Sequence, residues 1–272
     1  MTRSPGYVHG THPEEQRRLA DLNALVNRAS LDALAPRRGE RALDVGSGLG
    51  QFARELARAT GERVVAVERS REQLERAASL AAEARETGLV DARLGDAQDL
   101  PLTAAEWGTF DLAHARFLLE HVPEPQGVVN AMARAVRPGG RVVIEDDDHD
   151  ALRLWPEPPG FRSVWQAYMR TYDRLGNDPH VGRRLVELLA VAGLRPTRIA
   201  MPLLGACAGQ PEFPAYVSNL AVIFDGARDA ILATGGVSAE AMDQAQEAIR
   251  VWGRRGDAVF WYTVSWAEAV KP

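Results

Sequence analysis

The chain has 272 residues, 46% of them hydrophobic, and a formal net charge of −5. That size supports one large α/β domain, and the interspersed acids and bases exclude nucleic acid or an anionic membrane as the main partner, because phosphates need a basic face. All but one of the 32 basic residues are arginine, a bias read as coding composition rather than as a phosphate-binding strategy.

Residues 14–35 carry Leu19, Leu22, Leu25, Val26 and Leu31 at helical spacing, and Pro36-Arg37-Arg38-Gly39 ends this leader. Strands and helices then alternate over short connections, the pattern of a parallel sheet covered on both faces. Strands are predicted at 41–45, 63–68, 91–95, 110–115 and 141–146, with helices at 51–60, 70–87 and 125–136. Ser70 and Gln73 have capping-box spacing, and Gly88 stands where a helix C-terminal glycine belongs. Arg137-Pro138-Gly139-Gly140 reads as the turn that launches the fifth strand. After Asp146 the rhythm changes. Residues 147–160 are acidic and then proline-rich, helical patterns follow at 161–175 and 181–192, and a sixth strand is predicted at 197–204. Residues 212–254 read as helical and 258–265 as a final strand.

Cys207 is the one cysteine, so no internal disulfide forms, and its use fits a reducing compartment. Met1 to Gln16 lacks the apolar core of a signal peptide, and no run approaches the roughly 18 apolar residues of a membrane span. The expectation is a cytoplasmic protein with no membrane partner; a homodimer is left open.

The most informative stretch is Leu43-Asp44-Val45-Gly46-Ser47-Gly48-Leu49-Gly50, a strand that ends in an acid and three alternate glycines before a helix. Glycine takes positive φ and lets a ligand press against bare backbone. A dinucleotide fingerprint needs its third glycine at the sixth position, which is Gln51 here. The second strand ends in Glu68, 18 residues beyond Gly50, where a carboxylate suits a ribose diol. The third ends at Gly95-Asp96-Ala97, and the fourth leads into Arg116-Phe117-Leu118-Leu119-Glu120-His121-Val122.

In order and spacing, these pieces over residues 40–146 resemble the motifs of class I S-adenosylmethionine-dependent methyltransferases of the small-molecule type. The resemblance implies a Rossmann-like, doubly wound α/β sheet of seven strands with the last antiparallel. It implies one domain over 1–272, with an N-terminal helical lid at 1–38, a cofactor-binding half at 39–146 and helical cap segments at 147–196 and 210–256. The implied cofactor is S-adenosyl-L-methionine. Its methionine moiety would meet Asp44, Gly46, Ser47, Gly48 and Gly50, its ribose Glu68, and its adenine Asp96 and Ala97. Arg69 either covers the adenine face or is solvated, and Arg116 lines the methionine end. Tyr7 and Arg17 in the leader are candidates to close over the cofactor.

Methyl transfer is an in-line displacement in which alignment outweighs proton removal. Candidate acceptor walls are Phe161, Trp165, Tyr168 and Tyr172, one helical face that otherwise simply packs on the sheet, with Phe213, Tyr216 and Phe224 opposite. In the run Asp146-Asp147-Asp148-His149-Asp150, His149 is the candidate general base; the alternatives are a solvated acidic loop or a divalent-metal site. His180 is a further base candidate, and His121 is read as structural. No metal is expected among the site residues. The expected reaction is methylation of a small apolar or aromatic molecule of secondary metabolism, with oxygen as the acceptor atom. Two rivals remain: a protein of the same fold that binds the cofactor without transferring methyl, and a nicotinamide-dependent oxidoreductase.

Overall fold

The computed structural model describes residues 26–272. A helical segment, α1 (26–34), leads into β1 (Ala42–Val45), α2 (Gln51–Thr60), β2 (Val64–Glu68), α3 (Arg71–Glu83), β3 (Val90–Leu94) and β4 (Phe110–Arg116). Then come α4 (Pro125–Ala135), β5 (Val136–Asp147), β6 (Arg153–Trp155), α5 (Phe161–Met169), α6 (Leu185–Val191), β7 (Arg195–Ala200), β8 (Leu203–Cys207), α7 (Phe213–Ala233), α8 (Ala239–Trp252) and β9 (Val259–Val270).

The sheet runs in the order β3-β2-β1-β4-β5-β9, with the first five strands parallel and β9 antiparallel to β5. Residues 266–270 of β9 also pair with β7. These seven strands form the expected doubly wound core. The sheet has nine strands, however, not seven. β9 runs on past the core, and its residues 259–261 pair with β6 on one side while 259–263 pair with β8 on the other. The predicted final strand, 258–265, thus reaches only the first two residues of the half that pairs with β5, and the predicted sixth strand, 197–204, merges β7 with the start of β8. Three-residue β6 lies in the proline-rich stretch, too short to show any alternation in sequence.

Local sequence explains the helices. α2 buries Phe52, Ala53, Leu56 and Ala57 on one face, and α3 starts where Ser70 Oγ accepts from the Gln73 N–H at 3.2 Å. Gly88 is not its cap: α3 stops at Glu83, and Gly88 sits in the turn before β3. β1 and β2 are buried on both faces, whereas β3 at the edge is half-exposed.

Two apolar clusters flank the carboxyl edge. One joins the parallel strands to α4 and to Leu185, Leu188 and Leu189 of α6, which therefore belongs to the layer over the sheet. The other gathers α5, α7, α8 and the projecting half of β9 around Phe161, Trp165, Tyr168 and Phe224. Phe224 is fully buried there, and we expect Phe224→Ala to lower unfolding free energy by about 3–5 kcal/mol in urea titrations.

Candidate active site

Three neighbouring strand ends share one buried charge network. His114 of β4 lies between Asp44 of β1 and Glu145 of β5, with Nδ1 2.8 Å from Asp44 Oδ1 and Nε2 3.2 Å from Glu145 Oε1. Burial disfavours the charged ring, but the hydrogen bonds and charges of the two acids outweigh it and raise the His114 pKa. Glu145 moves the other way: burial pushes it up, while His114 and Arg116 pull it below its ordinary value. Its second oxygen accepts from the Ser30 hydroxyl at 2.6 Å. Arg116 donates to Ser30 at 3.0 Å and to Asn27 at 2.6 Å, and its guanidinium stands 4.7 Å from the centre of the Phe52 ring. α1 is thereby fastened to the strand ends.

Beside this network lies a crevice of about 670 Å³. Gly46 and Gly48 have φ of +75° and +53°, and a Cβ on Gly46 would stand 2.9 Å from Leu118 Cδ1. Only bare backbone fits that turn. Glu68 forms the wall, its Oε2 accepting from the Gly48 N–H at 3.1 Å and its Oε1 from the Ser70 N–H at 2.8 Å. Exposed Arg69 follows it. Asp96 and Ala97 line the far end, with Asp96 Oδ1 accepting from the Gln98 N–H at 2.8 Å. At the near end, Asp44, Ser47, Gly48 and Arg116 border a hollow of about 100 Å³. Gly50 lines neither space; it is the left-handed residue that starts α2. Tyr7 and Arg17 lie outside the described residues.

A third cavity, of about 120 Å³, opens under the projecting sheet. Trp165 and Tyr168 of α5, with Tyr172 just beyond it, form one wall, and Tyr216 of α7 with Phe260 and Tyr262 of β9 form another. The expected aromatic stripe divides: Phe161 and Phe224 pack behind Trp165, with ring centres 6.0 and 6.2 Å from it, and Phe213 packs against Trp252.

The acidic run is not a solvated loop. Asp146 is fully buried and accepts from the N–H groups of Leu118 and Leu119 at 3.0 and 2.7 Å, which fixes the segment after β4. Burial, with Glu120 and Asp147 nearby, pushes its pKa well up. Asp148 and Asp150 turn outward onto Arg183, and His180 joins them 3.3 Å from Asp148, away from the cavity. Asp147 and His149 turn inward. Glu120 bridges two imidazoles there, with Oε2 2.8 Å from His149 Nε2 and Oε1 3.3 Å from His121 Nε2. Burial opposes charge on His149, yet Glu120 foremost, with Asp147 and Asp148, raises its pKa. Burial and the Glu120 carboxylate push Asp147 up to about 7. Glu120, Asp147 and His149 each offer one ligand atom, all within 4.8 Å of one another.

Two side chains border both the crevice and the aromatic cavity: Phe117 and His121. Phe117 also borders the hollow at the near end and has φ of +50°, a conformation costly for a bulky residue. Sequence reasoning passed over Phe117, Glu120 and His114. No short-range spacing marks them, although all three lie on the β4 segment that begins beside the glycine turn.

Residues 43–144 match the family model described as a methyltransferase domain. This match supports S-adenosylmethionine as the cofactor of the matched segment. The chain is 29% identical over 194 residues to the O-methyltransferase resE of Aspergillus sclerotiorum, covering 70% of this chain and 69% of that protein. It is 32% identical over 155 residues to the 27-O-demethylrifamycin SV methyltransferase of Amycolatopsis mediterranei, covering 57% and 54%. The chain spans between 46% and 69% of the length of the first three curated relatives it matches. Among solved structures, the [4+2]-cyclase SpnF superposes with a TM-score of 0.55 at 23% identity, covering 100% of this chain and 88% of that one. Among the described residues, no helix is long and apolar enough to cross a membrane.

The His114 network predicts a pH signature. A raised folded-state pKa means that the stabilisation is complete below the ordinary value of 6.5 and fades as pH climbs through the raised one. His114→Gln leaves Asp44 and Glu145 without the cation between them, and is expected to cost about 3–5 kcal/mol at pH 6. Urea titrations from pH 6 to 8 should show stability falling with pH in the wild type and a flatter profile in the variant.

Proposed function

We propose that this protein transfers the methyl group of S-adenosylmethionine to a hydroxyl oxygen of a small organic molecule seated in the aromatic cavity. The observation that carries this reading is the edge shared by crevice and cavity at Phe117 and His121. Among the described residues, a donor in one space and an acceptor in the other would meet along that edge.

When bound, the cofactor supplies an electrophilic methyl group on a cationic sulfur. Glu68 takes the ribose hydroxyls, and Asp96 and Ala97 take the adenine with Arg69 over its outer face. Asp44, Gly46, Ser47, Gly48 and Arg116 bed the methionine end. Alignment and exclusion of water supply about 7–11 kcal/mol of the barrier. A general base adds a factor of about 10²–10⁴. His121, at the shared edge, receives the hydroxyl proton. Glu120 links that ring to His149, which borders the aromatic cavity, and the shared carboxylate balances the charge that arrives on His121. His149, the base expected from sequence, thus stands one residue behind the transfer line. Two relatives named as O-methyltransferases support oxygen as the acceptor atom.

Incubation with methyl-labelled cofactor and a panel of phenols and alcohols is expected to yield labelled methyl ethers. Cofactor binding with no labelled product from any hydroxyl would instead favour the rival reading, a fold that holds the cofactor without transfer. Glu68→Ala is expected to weaken cofactor affinity at least tenfold by calorimetry, since charge-assisted hydrogen bonds contribute about 1.5–3 kcal/mol each. His121→Gln should lower kcat by about 10²–10⁴ with cofactor affinity unchanged.

A further inference from the structure

We infer that the acceptor presents an uncharged phenol: a single six-membered aromatic ring, entering hydroxyl first, with no carboxylate, phosphate or ammonium on it. The inference rests on the methyl-transfer reading and deepens it by naming the acceptor class.

Size sets the first limit. The cavity holds about 120 Å³. An apolar cavity of about 150 Å³ accommodates one benzene molecule, so one ring fills this space and a fused pair does not enter it whole. Wall chemistry sets the second. Trp165, Tyr168, Tyr172, Phe260 and Tyr262 present ring faces and edges, which favour a flat aromatic guest over a puckered aliphatic one.

Charge sets the third. Among the described residues, the lining contains no arginine or lysine, while Glu120 and Asp147 both face the space. A buried anionic substituent would find no arginine or lysine partner among the described residues and, in Glu120, an acid of its own sign that already holds both imidazoles. An ammonium fares differently but no better. Glu120 is already engaged by His121 and His149, and Asp147, at about 7, is not a full counter-charge at neutral pH.

Proton chemistry sets the fourth. The bases at the inner end are imidazoles, and a phenol of pKa ~10 lies far closer to them than an alcohol near ~16. In the transfer, the phenol O–H bond breaks and its proton passes to the His121 imidazole. The oxygen forms the new bond to the methyl carbon, and the electron pair of the broken S–C bond stays on sulfur, which becomes a neutral thioether.

The test measures binding apart from turnover. With the full chain saturated by S-adenosylhomocysteine, ligand-observed NMR titrations compare phenol and catechol with benzoate, benzylamine and cyclohexanol. The two phenols are expected to bind at least tenfold more tightly than the other three. Equal or tighter binding of benzoate, benzylamine or cyclohexanol overturns the inference. Ile223→Trp, at a half-buried position of the lining, should abolish phenol binding while leaving that of S-adenosylhomocysteine intact; retained phenol binding overturns the proposed seat. Methyl transfer to other hydroxyls with no phenol binding sinks the acceptor class alone. Phenol bound but never labelled by methyl-labelled cofactor sinks the transfer reading alone.

Discussion

The site depends on one imidazole placed between two carboxylates. Parallel strands β1, β4 and β5 end side by side, and without His114 their edge would carry Asp44 and Glu145 as buried like charges with only Arg116 nearby to offset them. A protonated ring between them turns repulsion into two charge-assisted hydrogen bonds and fixes the lateral spacing of the strand ends. Because Glu145 also holds Ser30, and Ser30 meets Arg116, the same network sets where α1 lies against the cofactor crevice. The glycine turn grows directly out of β1, so its position is inherited from that clamp.

A second constraint follows the chain along β4. The strand leaves the sheet through Phe117, whose left-handed backbone reverses the path and turns the ring towards all three cavities. The N–H of Phe117 is held by the Glu145 carbonyl at 3.0 Å, and Asp146 captures the next two N–H groups. Backbone strain at one residue is offset by three hydrogen bonds from β5. The result places His121 one short turn later on the shared edge, and Glu120 beside it facing inward. Adjacent residues of a sequence that reads as a loop thus take different tasks because the segment is pinned from two sides.

How much of this was legible in sequence follows from the range of the interactions. Strand-turn-helix order, the bare glycines and the acid ending β2 are local, and the crevice they predict is where Gly46, Glu68 and Asp96 lie together. The aromatic stripe at helical spacing was legible as a face. Which of its rings line a cavity was not, since that depends on α7 and β9 arriving from more than 40 residues away. The projecting sheet was invisible for the same reason: three-residue β6 carries no alternation, and only β9 gives it a partner. His121 and His149 look unrelated 28 positions apart, yet Glu120 joins them across the ends of β4 and β5. Gly50 shows the opposite error: its place in a motif suggested ligand contact, while the helix it starts accounts for its conformation.

The electrostatics of the inner cluster show how a buried acid-rich pocket would suit the proposed proton removal. A lone imidazole in an apolar cavity would resist charging, because desolvation lowers its pKa. Here Glu120 sits between two rings, so a proton arriving on either is met by a carboxylate within hydrogen-bonding reach. Asp147, held up to about 7 by burial and by Glu120, loses its proton more readily when a neighbouring ring becomes positive. Under the proposed transfer, charge gained at the shared edge would be met by the Glu120 carboxylate and by Asp147 poised near neutrality, with little solvent to reorganise.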